Sequence, residues 1–115
     1  MTHVKMLYDR NIPLGFEMFG HAGYGEPGKD IVCASLSAAS QMTVNGFVEM
    51  LGVDCEDLVV EQNPIWGILK VRIPDNLHYN MASHCLLRSF EVYVGMLAEQ
   101  YPQHINYERS DISGE

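Results

Sequence analysis

His21 and Cys33 frame the stretch of this 115-residue chain whose residue types and spacing point to covalent chemistry. The run Gly20-His21-Ala22-Gly23-Tyr24-Gly25-Glu26-Pro27-Gly28 holds four glycines and a proline in nine residues, and such a density reads as a flexible loop. Beyond it, Val32, Leu36, Ala39, Thr43, Phe47 and Met50 recur at steps of three and four, which predicts a helix from Ile31 to Leu51 with Asp30 as its N-cap and Gly52 as its stop. On that reading Cys33 is the third helical residue. A thiol in a first helical turn feels the positive end of the macrodipole and unpaired backbone N–H groups, which favour thiolate over thiol. His21 precedes it across a loop long enough to fold back, where an imidazole can serve as base and then as acid.

Each of these residues also has a plainer reading. A free cysteine is most often a small buried apolar side chain, and His21 can be an ordinary loop residue. The residues alone leave both readings open. Asp30 as N-cap accepts a hydrogen bond from the N–H of Val32 or Cys33, and in the same position it fixes the direction of Cys33 and can orient His21. Ser37, four residues after Cys33, shares its helical face. Its hydroxyl either bonds back to the carbonyl of Cys33 or reaches the site. Gly23, four further residues and Gly28-Lys29 imitate a phosphate-binding loop, but Asp30 replaces the hydroxyl that would hold magnesium, and Glu26 adds a second carboxylate to the cradle.

The other two cysteines are expected to be packed. Cys55 begins a strand beside Glu56 and Asp57, whose charges oppose a thiolate. Cys85 lies in a helix next to His84 and near His78, where a zinc site would need a fourth ligand that the neighbourhood does not supply. No metal and no cofactor is expected.

The elements that must hold this stretch are read from periodicity. Val4, Met6 and Tyr8 alternate with His3, Lys5 and Leu7, as in a half-buried strand. Asn11-Ile12-Pro13 turns the chain into a second strand, Leu14 to Phe19, which pairs with the first as a hairpin. After the first helix, Leu58-Val59-Val60 and Ile65 to Ile73 read as a second hairpin about Gln62-Asn63-Pro64. Apolar groups on both faces of the Ile65–Ile73 strand predict a sheet covered on two sides, by helices or by a partner chain. Pro74-Asp75-Asn76 opens a second long helix with Leu86, Phe90, Tyr93 and Leu97 as its buried stripe, and Pro102 stops it. His104 to Arg109 forms a last strand. The order ββαββαβ predicts an α+β fold, with a mainly antiparallel or mixed sheet.

Length predicts a single domain, residues 1–115, with enough apolar surface to fold without metals or disulfides. Seven Lys+Arg against fifteen Asp+Glu give a formal charge of −8, which excludes binding to nucleic acid or anionic membrane and favours a basic partner. The apolar stretches read as shorter than a membrane span, and Met1-Thr2-His3-Val4-Lys5 lacks the design of a signal peptide. Three cysteines at unequal spacing suit free thiols in a reducing compartment, so a cytoplasmic location is expected.

Gly20-His21-Ala22-Gly23-Tyr24 and Gly28-Lys29-Asp30-Ile31-Val32-Cys33-Ala34, followed by Ser37, resemble the signature of the ribosomal-processing cysteine protease family, Prp. The resemblance is specific over Gly20 to Gly46. It implies a bacterial cytoplasmic peptidase, homodimeric, that removes a short N-terminal extension from the twenty-seventh protein of the large ribosomal subunit. It implies Cys33 as nucleophile, His21 as its partner, and Gly20, Asp30 and Ser37 in support, with the sheet lying between two helices. The N–H of Cys33 and loop amides are expected to serve as oxyanion donors. The loop of Ala22, Gly23, Tyr24, Gly25, Pro27 and Gly28 would gate the site by opening for an extended peptide. Its substrate would be a basic segment with bulky apolar residues just before the cut bond. The competing reading is a non-catalytic, ribosome-associated module that binds a peptide without cutting it. Selective, pH-dependent alkylation of Cys33 over Cys55 and Cys85 separates the two.

Overall fold

A computed structural model describes residues 1–20 and 27–114, with residues 27–30 described through their backbone alone. His21, Ala22, Gly23, Tyr24 and Gly25 therefore lie outside the described residues. β1 (Thr2–Asp9) and β2 (Ile12–Phe19) form the expected antiparallel hairpin. Its turn is Arg10-Asn11 rather than Asn11-Ile12-Pro13: Arg10 takes φ 59°, and Pro13 sits in β2 opposite Tyr8, where the register shifts. A shift of that kind is where a strand tolerates a residue without an N–H. β3 (Val59–Asn63), β4 (Ile68–Arg72) and β5 (Ile105–Asp111) complete a five-stranded sheet in the order β3-β4-β2-β1-β5. β5 runs parallel to β1 while the other pairs are antiparallel, so the sheet is mixed and the α+β class holds.

Four element boundaries differ from expectation. Helix α1 runs Pro27–Leu51 because proline suits a first helical position, where its missing N–H is not needed. Asp30 consequently lies inside the first turn and is not the N-cap, and Cys33 is the seventh helical residue, in the second turn. The second hairpin turns at residues 64–67, so Ile65 and Trp66 sit at its tip and not in a strand. Asn63 causes this: its Oδ1 accepts the N–H of Ile65 at 3.1 Å and of Trp66 at 3.3 Å, and Gly67 supplies φ 65°. After Pro74 comes only a 3-10 turn, Asp75–Leu77, and the second long helix, α3, runs Met81–Gln100. Asn80 caps it, its Oδ1 accepting from Ser83 N at 2.9 Å. A short helix, α2 (Cys55–Leu58), stands where Cys55 was expected to begin a strand.

Val4, Met6, Tyr8, Leu14, Phe16 and Val71 project from one face of the sheet and are buried. Both long helices pack there. α1 contributes Val32, Leu36, Val44 and Phe47, and α3 contributes Leu87, Phe90, Val94 and Leu97, with Leu86 and Tyr93 more exposed than expected. Phe90 stacks on Phe16 with ring centroids 4.1 Å apart, and α1 and α3 touch each other directly. The sheet is therefore not enclosed between two helices. Its far face carries Lys5, Glu17, Lys70, Arg72 and Glu108, none of them buried, with Lys5 and Lys70 paired to Glu108 and Glu61 at 3.8 and 3.3 Å. That face is mostly polar, with Leu7 buried and Phe19 exposed among the charged residues. Contrary to expectation, the α1 segment Ile31–Leu51 is long and apolar enough to cross a membrane, with a mean hydropathy of 1.3. Here it is the helix that closes the core.

Candidate active site

α1 presents Cys33, Ser37 and Gln41 at one-turn intervals on one side, with Leu36 and Ser40 between them on the same flank. Across from this helix face lie the β3–β4 hairpin and the start of β1, and the space between is a cavity of ≈ 280 Å³. Leu36, Met18 and Leu69 make its floor apolar. Ser37, Gln41 and Gln62 give it an exposed polar rim, and Pro64 and Gly67 close one end. An apolar floor with a few polar groups on the rim suits an extended peptide whose side chains enter and whose backbone stays at the edge.

Cys33 is exposed in this cavity. Cys55 and Cys85 are exposed as well and not packed as expected: Cys55 starts the surface helix α2, and Cys85 falls off the stripe of Ser83, Leu87, Phe90, Val94 and Leu97 that faces the core. Only Cys33 of the three lines the apolar-floored cavity. Its place in the second turn also changes two expectations. The macrodipole's influence fades beyond the first turn, so it lends Cys33 less help than a first-turn thiol would receive. The N–H of Cys33 is also engaged within the helix, whereas the amides of Gly28 and Lys29, in its first turn, have no carbonyl four residues earlier inside α1 to bond.

Gly20 lines the same cavity with φ +95°. A β-carbon there would lie 2.7 Å from the Met1 carbonyl oxygen, so any other residue would be strained and would press on β1 where it forms the cavity wall. Ser37 lines the cavity, and its carbonyl accepts from Ser40 Oγ at 3.0 Å. Asp30 lies at the start of α1, and its side chain, like His21, lies outside the described residues. The structure thus brings Gly20, Cys33 and Ser37 to one cavity. Sequence reasoning missed the opposite wall: Thr2, Gln62, Pro64 and Gly67. The turn signal Asn63-Pro64 was legible, but no local pattern shows which helix a hairpin tip will face. Thr2 is 5 % exposed, and its Oγ1 has no hydrogen-bond partner among the described residues.

The most strongly coupled charges lie elsewhere. Glu91 of α3, 5 % exposed, accepts hydrogen bonds from the hydroxyls of Tyr8 and Tyr107, and Arg109 Nε reaches its Oε2 at 2.8 Å. Burial works against the carboxylate, but the bonds from Arg109, Tyr107 and Tyr8 outweigh it and hold Glu91 below its ordinary value. Burial, then the bond to Glu91, pushes Tyr107 up to about 12. This cluster ties α3 to β1 and β5 and takes no part in the cavity.

The pattern of the family described as cysteine protease Prp matches residues 1–106. A curated relative, the ribosomal processing cysteine protease Prp of Bacillus subtilis, is 37% identical over 51 residues. That match covers 44% of this chain and spans 45%, less than half, of the relative's length. Among solved structures, a Streptococcus mutans protein superposes with a TM-score of 0.86 at 24% identity, covering 96% of this chain and 95% of that one, a likeness of fold. The S. aureus ribosomal processing protease Prp, in complex with a covalently linked product peptide, matches with a TM-score of 0.77 and 27% identity over 96% of this chain and 100% of that one. The same protease with a substrate peptide gives 0.76 and 25% over the same shares.

Proposed function

The chain belongs to the cysteine protease Prp family, and from that premise we propose that it is a cysteine endopeptidase that removes the N-terminal extension of a large-subunit ribosomal protein, the twenty-seventh, in the cytoplasm. The observation that carries this reading is the exposed Cys33 thiol on the wall of an apolar-floored cavity between α1 and the β3–β4 hairpin. The bound peptides of the S. aureus protease support it by likeness of fold.

In this reading His21 takes the proton of Cys33, whose sulfur attacks the scissile carbonyl to form a tetrahedral oxyanion. The first-turn amides of Gly28 and Lys29 at the head of α1 are donors close in sequence for that charge. His21 then protonates the leaving amine and activates the water that hydrolyses the thioester. With α1 offering a second-turn thiol only a weakened dipole, the imidazole carries most of the activation. The charge of −8 supports a basic substrate, since long-range attraction speeds encounter and is screened by salt.

The proposal extends to a homodimer. The polar far face of the sheet does not support pairing there. The outward sides of α1 and α3 do: Met42, Tyr93 and Met96 are exposed, and Met42 and Tyr93 flank a groove between the two helices. Sedimentation at micromolar concentration checks it, a 13.0 kDa species alone being the contrary result.

The test of activity is incubation of the wild type and of Cys33→Ala with the unprocessed ribosomal protein, followed by sequencing of the new N-terminus. An unrelated basic peptide and an acidic one of equal length serve as controls. Wild type should trim the ribosomal protein alone, and Cys33→Ala should lose about 10⁴-fold or more of the rate. Inertness of the wild type, with alkylation equal at Cys33, Cys55 and Cys85, would favour the binding module.

A further inference from the structure

Trp66, the single tryptophan of the chain, is 67 % exposed at the tip of the β3–β4 hairpin. Large aromatic side chains on a surface mark contact sites more often than chance, because they bury much apolar area with few rotatable bonds. This one is held outward by its backbone. Asn63 Oδ1 accepts the N–H of Trp66 at 3.3 Å and that of Ile65 at 3.1 Å, and Gly67 completes the turn with φ 65°. Pro64 and Gly67, on either side of the tip, line the same cavity as Cys33. Trp66 does not itself line the cavity, but the two residues that flank the tip do, so the indole is carried by a turn that forms part of the cavity wall.

We propose that Trp66 is a specificity residue of the protease, receiving a bulky apolar side chain of the extended substrate a few residues away from the bond that Cys33 attacks. The proposal rests on the protease reading and deepens it. An extended chain advances about 3.3 Å per residue with side chains on alternate sides. A peptide that places its scissile carbonyl at Cys33 and runs along the cavity toward Pro64 and Gly67 must pass the tip. There one of its side chains meets the floor of Leu36 and Leu69, and a later one meets the indole. The partner is therefore a flexible segment with apolar residues at two separated positions.

The single tryptophan makes the test direct. Cys33→Ala protein, which cannot turn over, is titrated with a peptide spanning the extension and the first residues of the mature ribosomal protein. Peptide binding is followed independently by anisotropy of a terminal label. Trp66 emission should shift to the blue in step with binding, and replacing one apolar residue of the peptide by Ala should abolish the shift. In the catalytic background, Trp66→Ala should raise KM about tenfold, the effect of losing one aromatic anchor. Trp66→Tyr, which keeps an aromatic face, should recover most of it. Saturable binding with unaltered emission, or a KM for Trp66→Ala within twofold of wild type, overturns the proposal and leaves the protease assignment standing. A wild-type protein that neither binds nor cleaves the peptide overturns both.

Discussion

Leu86 of α3 fills the space that a side chain on Gly46 of α1 would need: a β-carbon at Gly46 lies 2.9 Å from Leu86 Cδ2. That closeness lets the two long helices touch while sharing one face of the sheet. A single methyl meets the far end of a flexible side chain, and Ala gains about 1 kcal/mol of helix propensity over Gly. Gly46→Ala should therefore be nearly neutral, whereas Gly46→Leu, which overpacks the contact, should cost about 1–3 kcal/mol. Urea midpoints at constant slope measure both.

Glu91 lets acid and base instability be read from one side chain. Its carboxyl is held below its ordinary value in the folded protein, so its contribution is whole above about pH 4.5 and is lost as pH falls through the lower folded value. Tyr107 is raised to about 12, so its contribution is whole below about pH 10 and fades from there toward 12. Glu91→Gln should lower stability by about 1–3 kcal/mol at neutral pH. It should also bring the Tyr107 titration, followed by phenolate absorbance, back toward ordinary values.

At the cavity wall, Thr2 carries a buried hydroxyl without a partner among the described residues. Val has nearly the same shape and removes the desolvated polar atom. Thr2→Val should thus stabilise the protein by about 1 kcal/mol, seen as a rise in Tm. A fall in Tm would mean that the hydroxyl is satisfied in solution.

Asn80 closes the head of α3 through Ser83 N. Asn80→Ala should cost about 1 kcal/mol, and Asn80→Asp, which keeps the acceptor, should cost little. Amide exchange at the first turn of α3 locates the effect.

The alternation in Thr2–Asp9 was legible because it depends only on near neighbours, whereas Pro27 and Gly28, read as part of the glycine-rich loop, open helix α1. Helix starts were less so. Asp30 and Asn80 are both good caps, but Pro27 let α1 begin earlier, and only Asn80 has a helix beginning directly after it. Apolar content in Ile65–Ile73 read as strand, while Asn63 and Gly67 turn the chain at its start. Cys33 could be singled out from its position after the loop. Thr2, Gln62 and Gly67 could not, because they reach the cavity only through the strand order β3-β4-β2-β1-β5.

The parallel pairing of β1 with β5 joins two strands separated by most of the given sequence. Thr2 N donates to the His104 carbonyl at 2.9 Å, and Thr2 is opposite Ile105 in the ladder. During synthesis the hairpin of β1 and β2 can form at once, but the outer edge of β1 stays unpaired until β5 has left the ribosome, and pairings between such distant segments are slow to close. Thr2, a wall of the cavity, is fixed by that last step. The cleft that holds Cys33 is therefore finished only once Ile105–Asp111 has joined the sheet, so a nascent chain that stops short of β5 carries an unfinished cavity wall.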